Sequence, residues 1–429
     1  MLADPDASTV GIFLNADAPI ADLLRQVQKL AGDSGVSAYL VGGPVRDHLL
    51  GAPIKDLDIA VVGSAPSLAE KLADTLGGRV TVHPRFHTAT VYLPGGLPWV
   101  DLVTARRETY SRPGALPDVT PGTIADDLAR RDFTINAMAI PLCGDNRDLV
   151  DPHNGRADLA AGVIRTLHPN SFLDDPTRMF RAVRYEQRFG FRIDDATLTD
   201  MQSALASGAM VTLSGPRIDN ELGRIVREPS PLPALRRATE LGLLAAIHPA
   251  MPTMAHWDAL AGWSSVPPGA EPADREWPIC WDAALFWTLD GEQVASLAMK
   301  NPERTRCARY VDLLKPRLPF LAVDGLTPSN VCALLENSAS SFSMPFTQPA
   351  ALTVALAFAE PTAAQNIRRY LTEWQDVKPL LDGSDLLALG VPEGPAVGEL
   401  LEALRNARLD RETRNRRDER FFVLRRVSC

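Results

Sequence analysis

Two aspartates and a glycine pair, close together near the start of the chain, carry the first chemical signal. Residues 40–62 read LVGGPVRDHLLGAPIKDLDIAVV. The pattern is a strand, a glycine turn, a helix start, a short loop and a second strand with Asp56 and Asp58. Side chains alternate faces along a strand, so the two acids project together while Leu57, Ile59 and Val61 point into a core. Paired acids beside a glycine turn suit a divalent cation and a phosphate chain. Two such cations can clamp the attacking and leaving oxygens of a phosphoryl displacement. Gly42 and Gly43 leave backbone N–H groups open to a polyphosphate, and a helix N-terminus beyond them favours anions. Arg46 adds a cation on that helix. Each piece alone has an ordinary reading, a turn or a solvated strand edge. Their coincidence within 17 residues points to phosphoryl chemistry.

Further along, WVDLVT (99–104) places Asp101 on a strand, as a third acid or as a strand-end ion-pair partner. DDLARRDFTINA (126–137) reads as a helix offering Arg130, Arg131 and Asp132 among apolar neighbours. An arginine fork holds phosphate or sugar oxygens, and a carboxylate accepts from a ribose hydroxyl. In DDPTRMFRAVRYEQRFGFR (174–192), Asp175 before Pro176 fits a helix cap followed by the first helical position. Asp175 and Arg178 are also three apart and share a helix face. An acceptor beside a donor fork complements the Watson–Crick edges of cytosine and adenine. Uracil and guanine, with the reverse order, would leave buried groups unpaired. Arg181, Arg184 and Arg188 continue this helix as a cationic stripe.

These motifs, in this order, resemble the polymerase β-type nucleotidyltransferases, in the tRNA nucleotidyltransferase / poly(A) polymerase family. The glycine turn with Asp56 and Asp58 matches its first signature, and RRDFTINA (130–137) matches a second letter for letter. DPHNG (151–155) resembles the hinge after the head. Asp-Asp-x-x-Arg at 174–178 resembles the Glu-Asp-x-x-Arg base template, with Asp174 replacing the glutamate. SGPRIDNEL (214–222) resembles the last signature, where Glu221 supports the template arginine.

The resemblance implies a Mg²⁺-dependent enzyme that adds C and/or A from CTP and ATP to the 3′ end of tRNA. Asp56 and Asp58 would hold the metal, with Asp101 as a further catalytic acid. Gly42, Gly43 and Arg46 would receive the triphosphate. Arg131, Asp132 and Asn136 would contact the nucleotide. Asp175 and Arg178 would select the base, with Arg181 and Arg184 beside them. Arg188, Arg408, Arg414 and Arg417 would meet RNA. A poly(A) polymerase or a CC-only or A-only enzyme shares every motif. A non-catalytic RNA-binding protein is the alternative from another class.

The elements that must position these residues are an α+β arrangement. Helix periodicity at 18–32 is followed by strands at 38–41 and 56–62, a helix through Leu68, Leu72 and Leu76, and short strands at 79–83, 88–93 and 98–104. No G-x-G-x-x-G opens a helix after a strand, and GGPVRD lacks a P-loop ending, which excludes both of those nucleotide-binding folds. Residues 106–117 read as a polar loop, and beyond 150 helical patterns dominate. The expected organisation is a small polymerase β-like mixed-sheet head (1–150), then an all-helical neck (151–230), body (231–375) and tail (376–429). Pro/Gly/Ser-rich breaks fall at 264–275, 338–349 and 390–395.

Composition is that of a globular protein, with 45% hydrophobic and 23% charged residues. No apolar run spans a membrane, and MLADPDASTV lacks the features of a signal peptide. Five scattered cysteines without a C-x-x-C fit a reducing cytoplasm. The net charge of −9 does not advertise a nucleic-acid binder, so the basic surface must be local. Nine arginines against four acids at 405–426 supply one. Oligomeric state is left open.

Overall fold

A computed structural model describes residues 17–427, except 111, 113, 116, 145–147, 261–276 and 337–346. The chain forms two compact units, the first ending at Leu213 and the second beginning at Ser214. The expected neck therefore divides. Residues 151–213 belong with the head, and 214–230 belong with the body and tail.

The first unit is built on a six-stranded mixed sheet. Helix α1 (Ala18–Asp33) packs Leu23, Leu24 and Val27 inward and leads to β1 (Ser37–Val41). Helix α2 (Gly43–Leu49), β2 (Leu57–Val62), α3 (Ala65–Leu76), β3 (Arg79–His83), β4 (Thr88–Tyr92) and β5 (Val100–Thr104) follow. The strand order is β3-β4-β5-β2-β1. A last strand, β8, joins β1 antiparallel after β6 (Arg106–Thr109), β7 (Asp118–Pro121) and α4 (Ile124–Ala129); it spans Ala139–Pro141. Within this sheet only β2 and β5 run parallel, joined by a connection that carries α3. Ser64 caps α3 by accepting from the Ser67 N–H, Pro66 sits in its first turn, and Gly77 closes it in the left-handed region. Leu57, Ile59 and Val61 are fully buried, as the alternation requires.

Several expectations need correction. Asp56 lies just before β2 and is exposed, and Trp99 lies just before β5. Residues 106–121 hold the β6–β7 hairpin where a loop was expected. Residues 126–137 are not one helix: α4 ends at Ala129, and a 3₁₀ turn occupies Thr134–Asn136. The turn between them frees Arg130, Arg131 and Asp132 from a shared helical face.

The rest of the first unit is helical, with α5 (Gly155–Ala161), a short strand pair β9 (Val163–Ile164) and β10 (Arg192–Ile193), α6 (Ser171–Asp174), α7 (Thr177–Phe189) and α8 (Asp195–Ala206). The DPHNG segment is a fixed joint. The Asp151 carboxylate accepts from the Gly155 N–H at 2.6 Å and the Arg156 N–H at 2.9 Å, capping α5. Helix α7 buries Met179, Phe180, Ala182 and Val183 completely.

The second unit contains helices and no strands among the described residues. Its centre is a buried charge network. The Arg304 guanidinium donates to Asp282 at 2.7 Å, to the Asp219 carbonyl at 2.6 Å and to the Asp219 carboxylate. The tail has a core of its own, formed by Leu381, Leu386, Val391, Leu404 and Val423. Of the expected breaks, 264–275 and most of 338–349 lie outside the described residues. Residues 347–349 open the helix Thr347–Phe358, and 390–395 connect two helices as expected. Among the described residues no helix is long and apolar enough to cross a membrane.

Candidate active site

The site is assembled where β2 and β5 lie side by side. Their register pairs Asp58 directly with Asp101, so the two carboxylates stand on neighbouring strands. Thr90, opposite Asp101 on β4, donates its hydroxyl to Asp101 Oδ1 at 2.6 Å and fixes that carboxylate. Asp56 extends the acidic edge from the loop. The Asp58 carboxyl is pushed up from 3.8 to about 6. Burial is the main cause, opposed by Arg131 and Arg181 and reinforced by the charges of Asp101 and Asp56.

The glycine turn closes on the same acids. Gly42 has φ of 73°, a left-handed conformation that favours glycine. A Cβ there would lie 2.7 Å from Arg131 Nη1 and 3.6 Å from Asp58 Oδ2. The missing side chain therefore lets backbone, guanidinium and carboxylate meet, and Gly43 begins α2 immediately beyond. Arg131 is held there by the buried Asp127, at 2.9 Å. Burial pushes the Asp127 carboxyl up, but Arg131 and Arg130 outweigh it and leave it below its ordinary value.

Arg46 does not stand open to a triphosphate. It is 5% exposed, donates to Asn136 Oδ1 at 2.7 Å and to Asp47, and lies over the rings of Tyr185 and Phe189. Asn136 in turn donates to Asp132 Oδ1 at 3.0 Å, which also accepts from the Phe133 N–H. Asp132 Oδ2 accepts from Arg181 Nε at 2.7 Å. Burial pushes Asp132 up, but Arg181 and the Asn136 hydrogen bond bring it down to about 2, so it is a carboxylate throughout the neutral range. Asp132, expected at the ribose, instead has both oxygens engaged by protein. It ties the glycine-turn helix α2 to α7.

Asp175 follows α6 and sits two residues before α7. Its Oδ1 accepts from the Thr177 N–H at 2.9 Å and the Thr177 hydroxyl at 2.6 Å, so the capping role is real. Arg178 is buried, donating Nη1 to Ser171 Oγ at 2.7 Å and Nη2 to the Arg130 carbonyl at 2.8 Å. Its fork is thus fixed from two sides. Asp174 lies 3.7 Å from the His168 ring. The expected exposed stripe on α7 is largely inward. Arg184 is buried against the Tyr185 ring and Arg181 is half-buried, while Arg188 is exposed. In the second unit Glu221 pairs with Arg224 at 3.1 Å.

In the tail, Arg408 is turned inward to the buried Glu419, at an ion-pair distance of 3.6 Å. Glu419 also receives the Leu380 and Leu381 N–H groups. Arg405 and Arg416 are likewise engaged, by Glu336 and Asp385. Arg414 and Arg417 remain exposed as expected. Sequence reasoning missed Asp127, Ser171 and Tyr185 as residues that hold the site. Asp127 was readable, because it stands three and four residues before Arg130 and Arg131.

Among the described residues no three His, Cys, Asp or Glu side chains converge into a complete metal cage. A divalent ion that keeps waters and takes ligands from substrate phosphates needs only one or two carboxylates. Asp58 and Asp101, paired in register on neighbouring strands, supply such carboxylates, so the donor set fits such an ion.

Residues 38–165 match the Poly A polymerase head domain family, and residues 190–254 match the Probable RNA and SrmB- binding site of polymerase A. The CC-adding tRNA nucleotidyltransferase of Deinococcus radiodurans is 33% identical over 98% of this chain and 96% of that protein. The A-adding tRNA nucleotidyltransferase of Geobacter sulfurreducens is 32% identical over 95% of this chain but 47% of its own length. The chain thus spans about half the length, or less, of the A-adding relatives it matches. The solved Thermotoga maritima CCA-adding enzyme complexed with tRNA superposes with a TM-score of 0.76 at 30% identity, over 98% of both chains. A mixed-sheet head with paired acids beside a glycine turn defines a nucleotidyltransferase. The chain belongs to the tRNA nucleotidyltransferase / poly(A) polymerase family, whose members generally use divalent metals.

Proposed function

We propose that the protein extends the 3′ end of tRNA with nucleotides from CTP and ATP. The observation that carries this reading is the Asp58–Asp101 pair in parallel register against the side-chain-free turn at Gly42. The primer's 3′ oxygen attacks the α-phosphorus, its proton passes to solvent or base, and the bond to pyrophosphate breaks. Asp58 and Asp101, with Asp56 at the rim, hold Mg²⁺. When bound, this ion neutralises phosphate charge and lowers the pKa of the attacking hydroxyl. Gly43 gives its N–H to the triphosphate, the Gly42 N–H being directed at the Met138 carbonyl at 3.4 Å, and Arg131 reaches sugar or phosphate oxygens from above Gly42. Asp132 and Asn136 act through Arg181 and Arg46, keeping α2 and α7 in place. Asp175 presents its carboxylate, and Arg178 its guanidinium fork, to the base. The exposed Arg414 and Arg417, with Arg188 on α7, meet the RNA backbone. The family chemistry and the cysteines 143, 280, 307 and 332, which form no disulfides, support a cytoplasmic location.

CC addition without the final A is a second reading, favoured by the full-length likeness to the Deinococcus enzyme named CC-adding. The experiment supplies tRNA transcripts lacking one, two or three of the terminal nucleotides with labelled CTP, ATP or UTP and Mg²⁺. Incorporation of C and A in order supports the first reading, and arrest after C the second. No incorporation refutes both.

A further inference from the structure

Two rows of side chains cross the sheet at the active site. The first carries the acids. Asp58 pairs with Asp101, Asp101 with Thr90 and Thr90 with Thr81. Two residues further along each strand comes a second row of Asp56, Trp99, Tyr92 and Arg79. Tyr92 pairs with Arg79, whose guanidinium lies over the Tyr92 ring at 5.3 Å from its centroid. Trp99 and Asp56 directly precede the paired residues Val100 and Leu57. A step of two residues keeps a side chain on the same face. Tyr92 therefore shares the face of Thr90, whose hydroxyl reaches Asp101. Val91 and Val100, one residue out of phase, are completely buried on the other face.

The second row is open to solvent. Tyr92 is 41% exposed and Trp99 is 49% exposed. Every other aromatic residue of the first unit is at least partly buried, among the described residues. Large rings bring most of their stabilisation by burial, so two left in solvent beside catalytic acids call for an outside partner. Arg79 is exposed too and ends the row on the edge strand β3. The row thus offers two ring faces and one cation on the side away from the acids. Single-stranded nucleic acid is held by this combination, with bases stacked on rings and phosphate at a cation. Arg79 on β3 stands two strand spacings, about 10 Å, from β5. A strand whose 3′ oxygen lies at Asp101 passes over the rings before it reaches Arg79.

We propose that Tyr92, Trp99 and Arg79 form the subsite for the unpaired 3′-terminal nucleotides of the RNA primer. The proposal rests on the tRNA-extending function given above. The attacking 3′ oxygen must stand at the acids, and the strand behind it must leave over some surface. The second row is continuous with the acids and carries the exposed rings. Stacking tolerates any base, because every base has a π-face. A growing primer changes its terminal base as nucleotides are added, so its holder must not choose among bases. Choice belongs to Asp175 and Arg178, and grip on the primer belongs to the sheet face.

The test measures kcat and KM for a tRNA primer and for CTP with the full chain. Trp99→Ala and Tyr92→Ala should each raise the primer KM roughly ten-fold, the scale of one lost base stack. The CTP KM should stay within about two-fold of wild type. Trp99→Phe and Tyr92→Phe keep a ring and should keep the wild-type primer KM. Arg79→Gln should weaken primer binding more at low salt than at high salt. If the alanine variants fail to fold, Trp99→Leu and Tyr92→Leu replace them, keeping apolar bulk without a π-face. A primer with 2-aminopurine as its terminal base reads the subsite without transfer. Its fluorescence should be quenched on binding to wild type and less so on binding to Trp99→Leu. A primer KM within about two-fold of wild type in the double variant overturns the proposal and leaves the patch to a protein partner. A rise in CTP KM equal to that for primer also overturns it, by giving the rings to the incoming nucleotide. Failure of the wild type to extend tRNA would refute the proposed function instead, and the fluorescence then decides whether these rings hold the strand.

Discussion

Replacing Asp58 by asparagine should abolish nucleotide addition and, without metal, stabilise the first unit in a pH-dependent way. The carboxyl rises from 3.8 to about 6 on folding. At 1.36 kcal/mol per pH unit this corresponds to about 3 kcal/mol against the folded state once the group is ionised. The sign follows from proton binding. Between pH 3.8 and 6 the folded chain holds a proton that the unfolded chain has released, so stability falls as pH rises through that window. Roughly half of the effect is present by pH 5, and the rest develops by pH 7.5. Asparagine keeps the shape and removes the charge. Solvent reaches part of the Asp58 side chain, so we reduce the remaining change to about 1 kcal/mol.

The assay is thermal melting of wild type and Asp58→Asn in EDTA at pH 5 and pH 7.5. The melting advantage of the variant should grow by about 2–4 °C between the two pH values for a unit of this size. Adding Mg²⁺ and CTP at pH 7.5 should then raise the wild-type melting temperature and leave the variant unchanged, because only the charged acid holds the ion. An advantage that does not change with pH would refute the burial argument. Equal stabilisation of both proteins by Mg²⁺ and CTP would refute the metal assignment.

Asp175→Asn keeps an acceptor for Thr177, so melting should stay within about 1 °C. If the Asp175 carboxylate reads the base, kcat/KM discrimination against UTP should fall by ~1–3 kcal/mol, or roughly ten- to a hundred-fold. Asp132→Asn removes the charged partner that Arg181 Nε binds at 2.7 Å, and denaturation should show a loss on the order of 3 kcal/mol. This loss should be full above pH 3.8 and disappear as pH falls toward about 2, the range in which the folded group stays ionised while the unfolded one takes up its proton. Charge removal at the exposed Arg414 and Arg417 should weaken tRNA binding and flatten its salt dependence by up to ~1–2 in log–log slope. The same change at Arg408 should lower tail stability instead, since that residue faces Glu419.

What the sequence made legible was what depends on local spacing. Asp58 and the core residues around it follow from strand alternation, and the capping role of Asp175 follows from the proline after it. The neighbour of Asp58 did not follow, because the parallel pairing of β2 with β5 is set by a crossover and not by either strand's own residues. The hairpin at 106–121 was hidden for a similar reason: two four-residue strands separated by a Pro/Gly connection look like a loop until a partner fixes them. The arginines were hardest to read. Spacing gives the face on which a guanidinium starts, but five N–H donors on a long stem are claimed by whichever acceptor tertiary packing brings near. Thus Arg46 went to Asn136, Arg181 to Asp132 and Arg408 toward Glu419, each drawn inward by a partner far away in sequence or one turn off its own helix. Their inward commitment has a consequence for recognition. Under the proposed function, a guanidinium fixed by protein acceptors, as Arg178 is, cannot swing to follow a wrong base and would favour discrimination, while exposed ones such as Arg414 and Arg417 would supply only attraction to the backbone.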